Sequence, residues 1–330
     1  MESEGDYRKL KADTKIDMKS LRDLGLIQIE DDGKINWVDN KYPLRAYDKL
    51  KLEAKKGRLY LINDTNLIWV FPDQIFREGL FDEIYIMTHR FDCQLQACYF
   101  KFFGLPYRTC YLIEKSGRYE ITENSSLYDE TKWKQEIKKH IEIWDNKRMN
   151  KIGDDYKAKN GRTYNSALSK SWYAESRKRH KERIWTINRN LDNFFKNITK
   201  SRADERLWTC FKDDLNLLTS KNVSDDYWLA LNARATNEWE KRKFLAYLVN
   251  RFLDPSYKIF FAKKTIEVDE DQFAVSECVQ WIWRSAIRNN EDIKIYLPSS
   301  RMKRLLKDYL EIKDEEPLKE KSVFKSSQES

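Results

Sequence analysis

Three polar side chains at a regular spacing near the carboxyl-terminal end of the chain could act on an anionic group. Gln280, Arg284 and Arg288 follow one another at intervals of four residues, in a segment otherwise rich in tryptophan and isoleucine. On an α-helix this spacing places the three side chains on one face. Because a guanidinium group donates two parallel hydrogen bonds to phosphate, the pattern indicates a phosphate-directed surface. It is also typical of the solvent-facing stripe of an amphipathic helix that has acidic neighbours.

The positive charge of the chain is concentrated in one segment. Residues 151–200 contain 13 Lys and Arg against 5 Asp and Glu, which accounts for the whole net charge of +8. The charges balance elsewhere, with 26 of each sign in residues 1–150 and 23 of each sign in residues 201–330. Basic side chains neutralise phosphates and aromatic rings stack on bases, so this mixture is typical of nucleic-acid binding. The candidate binding residues are Trp172, Arg177, Lys178, Arg179, Lys181 and Arg183.

The same segment has a plainer interpretation. Basic helical faces are common on protein surfaces, and Trp172, Tyr173 and Trp185 would then only pack against the core. A local excess of charge in an otherwise balanced chain favours a polyanionic partner. We therefore expect DNA or RNA as the partner, in single-stranded form.

The composition predicts a folded protein without a membrane partner. Apolar residues make up 41% of the 330 residues and aromatic residues 14%, which is enough for a buried core. No stretch approaches the roughly 18 apolar residues of a membrane span, and the acidic start does not resemble a signal peptide. The expected location is the cytoplasm. Five cysteines without a CxxC pair and three scattered histidines predict reduced thiols and no metal site.

Short apolar runs alternate with helical patterns along the chain, which predicts an α/β fold with a largely parallel sheet in its second half. Helical periodicity is present in residues 239–252 and 272–287, and an aromatic helix ends near Phe103. The predicted strands cover residues 58–62, 67–71, 83–88, 108–113, 206–211, 227–232 and 292–297. The expected domains are a partial first lobe in residues 1–104, a second lobe in residues 105–312 with a basic insertion near 150–200, and a charged flexible tail in residues 313–330.

The chain lacks the sequence that would bind ATP on its own. A phosphate-cradling loop requires GxxxxGK[ST], and the only Gly-Lys pair, Gly33-Lys34, is followed by Ile35. The acidic run Asp269-Glu270-Asp271 precedes a predicted helix, where capping of the helix amino terminus is its ordinary role. The pairs Asp154-Asp155 and Asp213-Asp214 are typical of solvated turns rather than of a nuclease centre.

Several of these segments together resemble superfamily 2 helicases of phages and prophages, over residues 20–310. Gln280-x-x-x-Arg284-x-x-x-Arg288 is similar to motif VI, whose arginines reach ATP bound between two RecA-like lobes; the glycines of that motif are absent here. Thr88 lies in a segment similar to motif III, and residues 231–237 lie near the position of motif V. The P-loop and the acidic metal-binding motif of those proteins are missing.

The resemblance implies a RecA-like second helicase lobe with a mostly parallel sheet, preceded by a partial α/β first lobe. Arg284 and Arg288 would contact the terminal phosphates of the nucleotide, and Gln280 would orient the nucleotide or the arginine pair. Thr236 and Asn237 would touch the nucleic-acid backbone or couple the lobes, and Arg234 could do either. A helix-capping turn around Asn237 is compatible with these roles.

Three functions remain open at this point. The first is a helicase-like motor half in phage or mobile-element DNA metabolism, acting with a P-loop ATPase partner or a missing amino-terminal lobe. ATP and Mg²⁺ would be bound only with that partner, and the chain alone would not be an ATPase. The second is a non-catalytic nucleic-acid-binding or adaptor protein derived from a helicase. The third is a protein–protein interaction module that depends on its aromatic surface.

Overall fold

A computed structural model describes residues 6–9, 12–38, 47–63, 66–77, 79–157, 160–233 and 236–312. The strands in these ranges are β1 (Asp6–Lys9), β2 (Ile27–Ile29), β3 (Ile35–Trp37), β4 (Leu59–Ile62), β5 (Asn66–Trp69), β6 (Tyr111–Lys115), β7 (Arg118–Thr122), β8 (Ile141–Trp144), β9 (Tyr156–Lys157), β10 (Thr163–Tyr164), β11 (Arg206–Thr209), β12 (Phe244–Tyr247) and β13 (Ile293–Tyr296). The α-helices are α1 (Ala12–Asp23), α2 (Asp48–Lys55), α3 (Leu95–Phe103), α4 (Glu130–His140), α5 (Lys147–Asn150), α6 (Lys170–Arg179), α7 (Lys181–Asn193), α8 (Leu215–Leu218), α9 (Pro255–Ala262), α10 (Glu270–Ile282) and α11 (Ser300–Tyr309). In these ranges, every helix is too short or too polar to cross a membrane. The tail predicted for residues 313–330 lies outside the described residues.

The largest sheet contains four parallel strands in the order β11, β12, β13, β8. Residues in register form rows across it, and alternate rows face opposite sides of the sheet. One row consists of Leu207, Leu245, Ile295 and Ile143. The next row consists of Trp208, Ala246, Tyr296 and Trp144. Both rows are largely apolar because helices cover both faces of the sheet.

Helices form a layer on each side of this sheet. On one side α4, α10 and α11 enclose a core that includes Ile137, Trp281 and Leu306. On the other side α6, α7 and α8 enclose a core that includes Tyr173 and Ile187. Because the strands are parallel, their carboxyl ends meet at one edge of the sheet and their amino ends at the other; we call these the carboxyl edge and the amino edge. In open α/β sheets, ligands bind outside the carboxyl edge.

The amino-terminal part of the chain packs onto this layered structure through α9. β1, β5 and β4 form an antiparallel sheet, and β2 pairs with β3 in a hairpin. Phe260 on α9 stacks on Phe102 of α3 with a distance of 4.3 Å between ring centroids. Tyr60 of β4 meets the same Phe260 edge to face at 5.2 Å. The two halves of the chain therefore share an aromatic core.

The predicted α/β fold with a largely parallel sheet is confirmed, but the sequence pattern misplaces two of its four strands. Residues 227–232, a predicted strand, begin at the last residue of a 3₁₀ turn and end in another turn, and an isolated bridge joins Trp228 to Trp208 between them. Residues 239–252, a predicted helix, contain β12. A short apolar run fits a buried strand as well as a helix, so neighbouring strands decide its conformation. β8 is not predicted because it lies in a polar segment.

The prediction of a buried strand in residues 83–88 is wrong. The segment is extended, but within the described ranges it pairs with no strand. Its apolar side chains are exposed, with Tyr85 at 70% and Met87 at 95% of their full accessibility. Apolar β-branched residues indicate a preference for extended backbone, but a strand also needs a neighbour to pair with.

His89 follows this segment and connects it to two helices of the carboxyl-terminal half. Its Nδ1 atom lies 3.3 Å from Ser276 Oγ on α10, and its Nε2 atom lies 3.2 Å from the Tyr309 hydroxyl on α11. Burial lowers the pKa of His89 to about 4, and the nearby charges of Arg90 and Lys134 act in the same direction while Glu130 opposes them. The imidazole is therefore neutral in the folded protein at pH 7.

We expect acid to weaken this contact. The pKa of His89 is about 4 in the folded chain, against an ordinary value of 6.5. The unfolded chain thus binds more protons between these values, and the free energy of unfolding falls as pH drops through this window. Urea unfolding should show a loss of about 2 kcal/mol between pH 7.5 and pH 5 that is absent in His89→Gln. An equal pH dependence in the variant would show that His89 is not responsible.

Candidate functional site

The basic segment folds into two consecutive helices, α6 and α7. Ser169 begins α6 by accepting a hydrogen bond from the Trp172 amide at 3.2 Å, as a helix N-cap residue does. The chain bends at His180, whose backbone is outside the helical region. The apolar residues Ile184, Ile187 and Leu191 of α7 face the core. The remaining faces of the two helices carry the basic side chains.

Three of the six nucleic-acid-binding residues predicted in the basic segment are engaged within the fold. Arg177 pairs with the buried carboxylate of Asp214, whose pKa is raised by burial in spite of this partner. Arg183 lies over the Trp172 ring at 5.4 Å, and Trp172 packs against the core around Tyr173. These three predicted residues, Trp172, Arg177 and Arg183, thus help to hold α6 and α7 on the sheet, in agreement with the plainer interpretation of the segment.

The other three predicted residues, Lys178, Arg179 and Lys181, are exposed. They lie at the end of α6 and the start of α7, beside a residue that was not among the candidates. Trp185 is 76% exposed, which is unusual for a tryptophan in a folded domain. Lys181 and Arg189 lie one helical turn before and after it, and both are exposed. We define the basic surface as Lys178, Arg179, Lys181, Trp185 and Arg189.

The helical periodicity contains the signal that identifies Trp185. The buried positions Ile184, Ile187 and Leu191 define the inner face of α7, and Trp185 falls outside it. Two exposed glutamates, Glu175 and Glu182, lie close to His180 and reduce the local positive charge. The surface therefore combines four exposed cations with one accessible aromatic ring.

Gln280, Arg284 and Arg288 do not share a helical face. α10 ends at Ile282, and the hydroxyl of Ser285 donates to the carbonyl of Ile282 at 2.7 Å where the chain leaves the helix. Gln280 donates to Ser276 Oγ at 3.4 Å, on the side of α10 that meets His89. Arg288 lies in the following 3₁₀ turn, close to the amino edge.

Two of the predicted site residues do meet. Arg288 Nη1 donates to Asn237 Oδ1 at 2.8 Å. Thr236 Oγ1 accepts from the amide of Glu238 at 3.4 Å, so this segment forms a polar turn. Arg284 is half-buried just after α10. Arg234 lies outside the described residues. Roles of these side chains toward a nucleotide or a nucleic acid stay predictions.

A shallow open groove of about 670 Å³ lies at the amino edge, next to this turn. Most of its charged side chains are paired with one another. Lys243 lies 2.7 Å from Glu291, and Lys294 lies 2.9 Å from Glu142. His140 Nδ1 lies 2.7 Å from an oxygen of Asp292. A groove with compensated charges at this edge is not the usual position of a ligand in an α/β sheet.

The carboxyl edge is organised around one buried guanidinium group. Arg301 on α11 is 3% exposed and lies 4.2 Å from the ring centroid of Phe252. Its Nη1 atom donates to Asn250 Oδ1 at 3.0 Å and to the Arg251 carbonyl at 2.7 Å. Its Nη2 atom donates to Asp271 Oδ1 at 2.5 Å. Arg301 therefore joins the end of β12 to the starts of α10 and α11. The capping expected for the acidic run is confirmed at Asp269, which accepts from the Gln272 amide at 2.9 Å.

The chain itself covers the carboxyl end of β12. Asn250 donates from Nδ2 to the carbonyls of Asn165 at 2.6 Å and Ala167 at 2.9 Å, and its amide donates to the Leu168 carbonyl at 2.9 Å. Segment 165–168 therefore lies over the position that a ligand would use at this strand. The sequence did not predict the contact between Asn250 and Arg301, because nothing in the local pattern shows that residues 51 positions apart share a hydrogen bond.

Within the described ranges, no three His, Cys, Asp or Glu side chains are arranged to hold a metal ion. Burial raises the pKa of the Cys210 and Cys278 thiols, which disfavours the reactive thiolate.

Two parts of the chain match known protein families. Residues 135–310, more than half of the chain, match the family described as the YonV C-terminal Rossmann-like domain, and residues 2–69 match the YonV middle domain. The SPbeta prophage-derived uncharacterized protein YonV of Bacillus subtilis (strain 168) is 38% identical over 285 residues. That alignment covers 84% of this chain, and the chain spans about 65% of the length of this curated relative. The predicted resemblance to a prophage protein is confirmed. No solved structure matches the chain.

We expect Arg301→Met to destabilise the protein by about 3 kcal/mol, because it leaves Asn250 Oδ1 and a buried carbonyl without a donor. Arg304→Met is the matched control, since the Arg304 side chain is 53% exposed and its ion pair with Asp155, at 3.7 Å, lies at the surface. An exposed pair of this kind contributes less than about 1 kcal/mol. Urea unfolding at pH 7 measures both values, and equal losses in the two variants would contradict the role assigned to Arg301.

Proposed function

We propose that this chain, which belongs to the family of the YonV C-terminal Rossmann-like domain, binds single-stranded nucleic acid through the basic surface and does so without catalysis of its own. The observation that carries the proposal is the exposure of Trp185, at 76%, between the exposed cations Lys181 and Arg189. The exposed indole, with a cation one helical turn away on either side, is accessible to a ligand. It fits a ligand that is both aromatic and anionic.

Each part of the surface has a separate chemical task. Lys178, Arg179, Lys181 and Arg189 attract phosphates, and binding releases the counterions of the nucleic acid. The Trp185 ring stacks on a base, an interaction that contributes about 1–3 kcal/mol and tolerates any base. A base in a duplex is already covered by its neighbours, so an exposed ring favours an unpaired strand. The expected ligand is therefore single-stranded, with little sequence preference.

Two features of the carboxyl edge support a role without catalysis. Segment 165–168 covers the end of β12, and Arg301 is committed to holding that edge together. The chain also lacks a phosphate-cradling loop. Both features favour the adaptor hypothesis.

The helicase-like motor half stays a prediction. A parallel α/β sheet and a prophage relative agree with it. It would require a partner with a P-loop to dock against the turn that carries Arg284 and Arg288. Arg288 lies near the amino edge and already has Asn237 as a partner, so binding ATP there would require that contact to open. For this reason the geometry favours the non-catalytic role.

Removing the basic surface should weaken binding in two distinguishable ways. Trp185→Ala should weaken binding of a fluorescent oligothymidylate about tenfold, because one stacked base is lost. The triple variant Lys178→Ala/Arg179→Ala/Lys181→Ala should also lower the slope of log K against log salt by about 2, since each contact with a single strand contributes about 0.7. Fluorescence anisotropy at several salt concentrations measures both quantities.

Matched controls use equally exposed residues elsewhere. Tyr119→Ala removes an aromatic ring that is 73% exposed on the β6–β7 hairpin. The triple variant Lys132→Ala/Lys138→Ala/Lys139→Ala removes the same charge from α4. Both controls should bind within twofold of the unmodified protein. Equal weakening in the controls and the test variants would show general electrostatic attraction, and no binding by the unmodified protein would refute the proposal.

An ATPase assay separates the two functions. We expect the purified chain to hydrolyse no ATP above a mock preparation, with or without single-stranded DNA, because its sequence contains no GxxxxGK[ST] phosphate loop. Turnover that Arg284→Ala or Arg288→Ala abolishes, and that the α4 triple variant retains, would establish the motor role instead.

A further inference from the structure

The β9–β10 hairpin lies at the carboxyl edge, and its described residues are exposed. Its two strands are two residues long, and all four strand residues are exposed. Such a hairpin cannot stabilise itself through a core. Its Tyr156 and Tyr164 are register partners, 64% and 40% exposed, with 6.5 Å between ring centroids. Two neighbouring tyrosine rings are therefore held at the surface.

Both ends of the hairpin are nevertheless fixed to the fold. Before β9, Asp155 accepts a hydrogen bond from Ser300 Oγ at 2.6 Å. After β10, the Asn165 carbonyl accepts from Asn250, the same residue that Arg301 holds. The chain enters the hairpin tightly against the sheet, since a Cβ atom on Gly153 would lie 2.0 Å from the Pro298 carbonyl oxygen. A hairpin that is fixed at both ends presents the exposed side chains of its described residues in a defined position.

The side chains beside the tyrosines are basic. The Arg162 guanidinium lies 5.3 Å from the Tyr164 ring centroid, and Lys157 is the register partner of Thr163. Asp155 is engaged with Ser300 and Arg304, while Asp154 is exposed. The pattern repeats that of the basic surface, in which an exposed ring lies between cations. A partner that supplies both flat rings and negative charge is a nucleic-acid strand.

We propose that the β9–β10 hairpin is a second base-stacking contact for the single strand bound at the basic surface. This inference rests on the proposed function. β10 ends at Tyr164, and α6 begins at Lys170 and is 10 residues long. From chain geometry, the basic end of α6 lies within roughly 35 Å of the hairpin, a distance that several nucleotides can span. A long oligonucleotide contacts both places, and a short one is retained by the basic surface.

The test compares oligonucleotide lengths with the full chain. Tyr156→Ala/Tyr164→Ala should weaken binding of a 30-nucleotide oligothymidylate about tenfold. The affinity for a 6-nucleotide oligothymidylate should change less than twofold. Tyr156→Phe/Tyr164→Phe keeps the rings and should bind both lengths like the unmodified protein. Thermal unfolding should be unchanged in both variants, because the side chains are exposed. Tyr119→Ala serves again as the exposed aromatic control.

A crosslinking experiment gives a direct readout of contact. A series of 30-nucleotide oligothymidylates, each with 5-iododeoxyuridine at a different position, is irradiated with the unmodified protein. The crosslinked peptides are identified by mass spectrometry. Crosslinks to both the hairpin and α7 support the inference. Unchanged affinity in the tyrosine variant together with crosslinks on α7 alone would overturn it while leaving the proposed function intact. No binding by the unmodified protein at low salt would overturn both.

Discussion

The arrangement of the carboxyl-terminal half depends on one buried cation. The guanidinium of Arg301 is almost completely removed from water, which costs desolvation free energy. Contacts with a carboxylate, an amide oxygen, a backbone carbonyl and the face of a phenylalanine ring offset this cost. Three of these partners, Asn250, Arg251 and Phe252, are consecutive residues just after β12, and the fourth, Asp271, lies in the first turn of α10. The guanidinium therefore fixes the end of β12 relative to α10 and α11, and through Asn250 it also fixes the segment that crosses the sheet edge.

Because the polar groups at the carboxyl edge bond to one another, we expect a ligand to bind at the outer surface rather than at this edge. In many parallel α/β domains the loops at this edge leave a crevice for a nucleotide. Here the polar groups of the edge bond to one another and to segment 165–168. The β9–β10 hairpin directly precedes segment 165–168 in the chain, and α6 and α7, which carry the basic surface, directly follow it. Both exposed features are therefore attached to the segment that covers the carboxyl end of β12. A surface of this kind suits binding of an extended polymer better than enclosure of a small substrate.

Some of the candidate site was readable from local pattern and some was not. The concentration of cations in residues 151–200 located the segment, and helical spacing separates the inward Ile184 and Ile187 from the outward Lys181 and Trp185. The same reasoning overestimated Arg177, because its partner Asp214 is 37 residues away and its burial depends on the packing of α8 and α6. The spacing of Gln280, Arg284 and Arg288 suggested one helical face, but the helix ends at Ile282, where a serine hydroxyl competes for a backbone carbonyl.

By itself, the sequence determined that the chain folds around an apolar α/β core, that its excess positive charge lies in one segment, and that it has no phosphate loop. These properties depend on composition and on the order of neighbouring residues. The tertiary structure decided which apolar runs become strands, since residues 83–88 pair with no strand in the described part of the chain while residues 244–247 have one on each side. It also decided which cations reach solvent and which, like Arg301, are buried. Pairing and burial arise between residues far apart in the chain, and no local pattern contains that information.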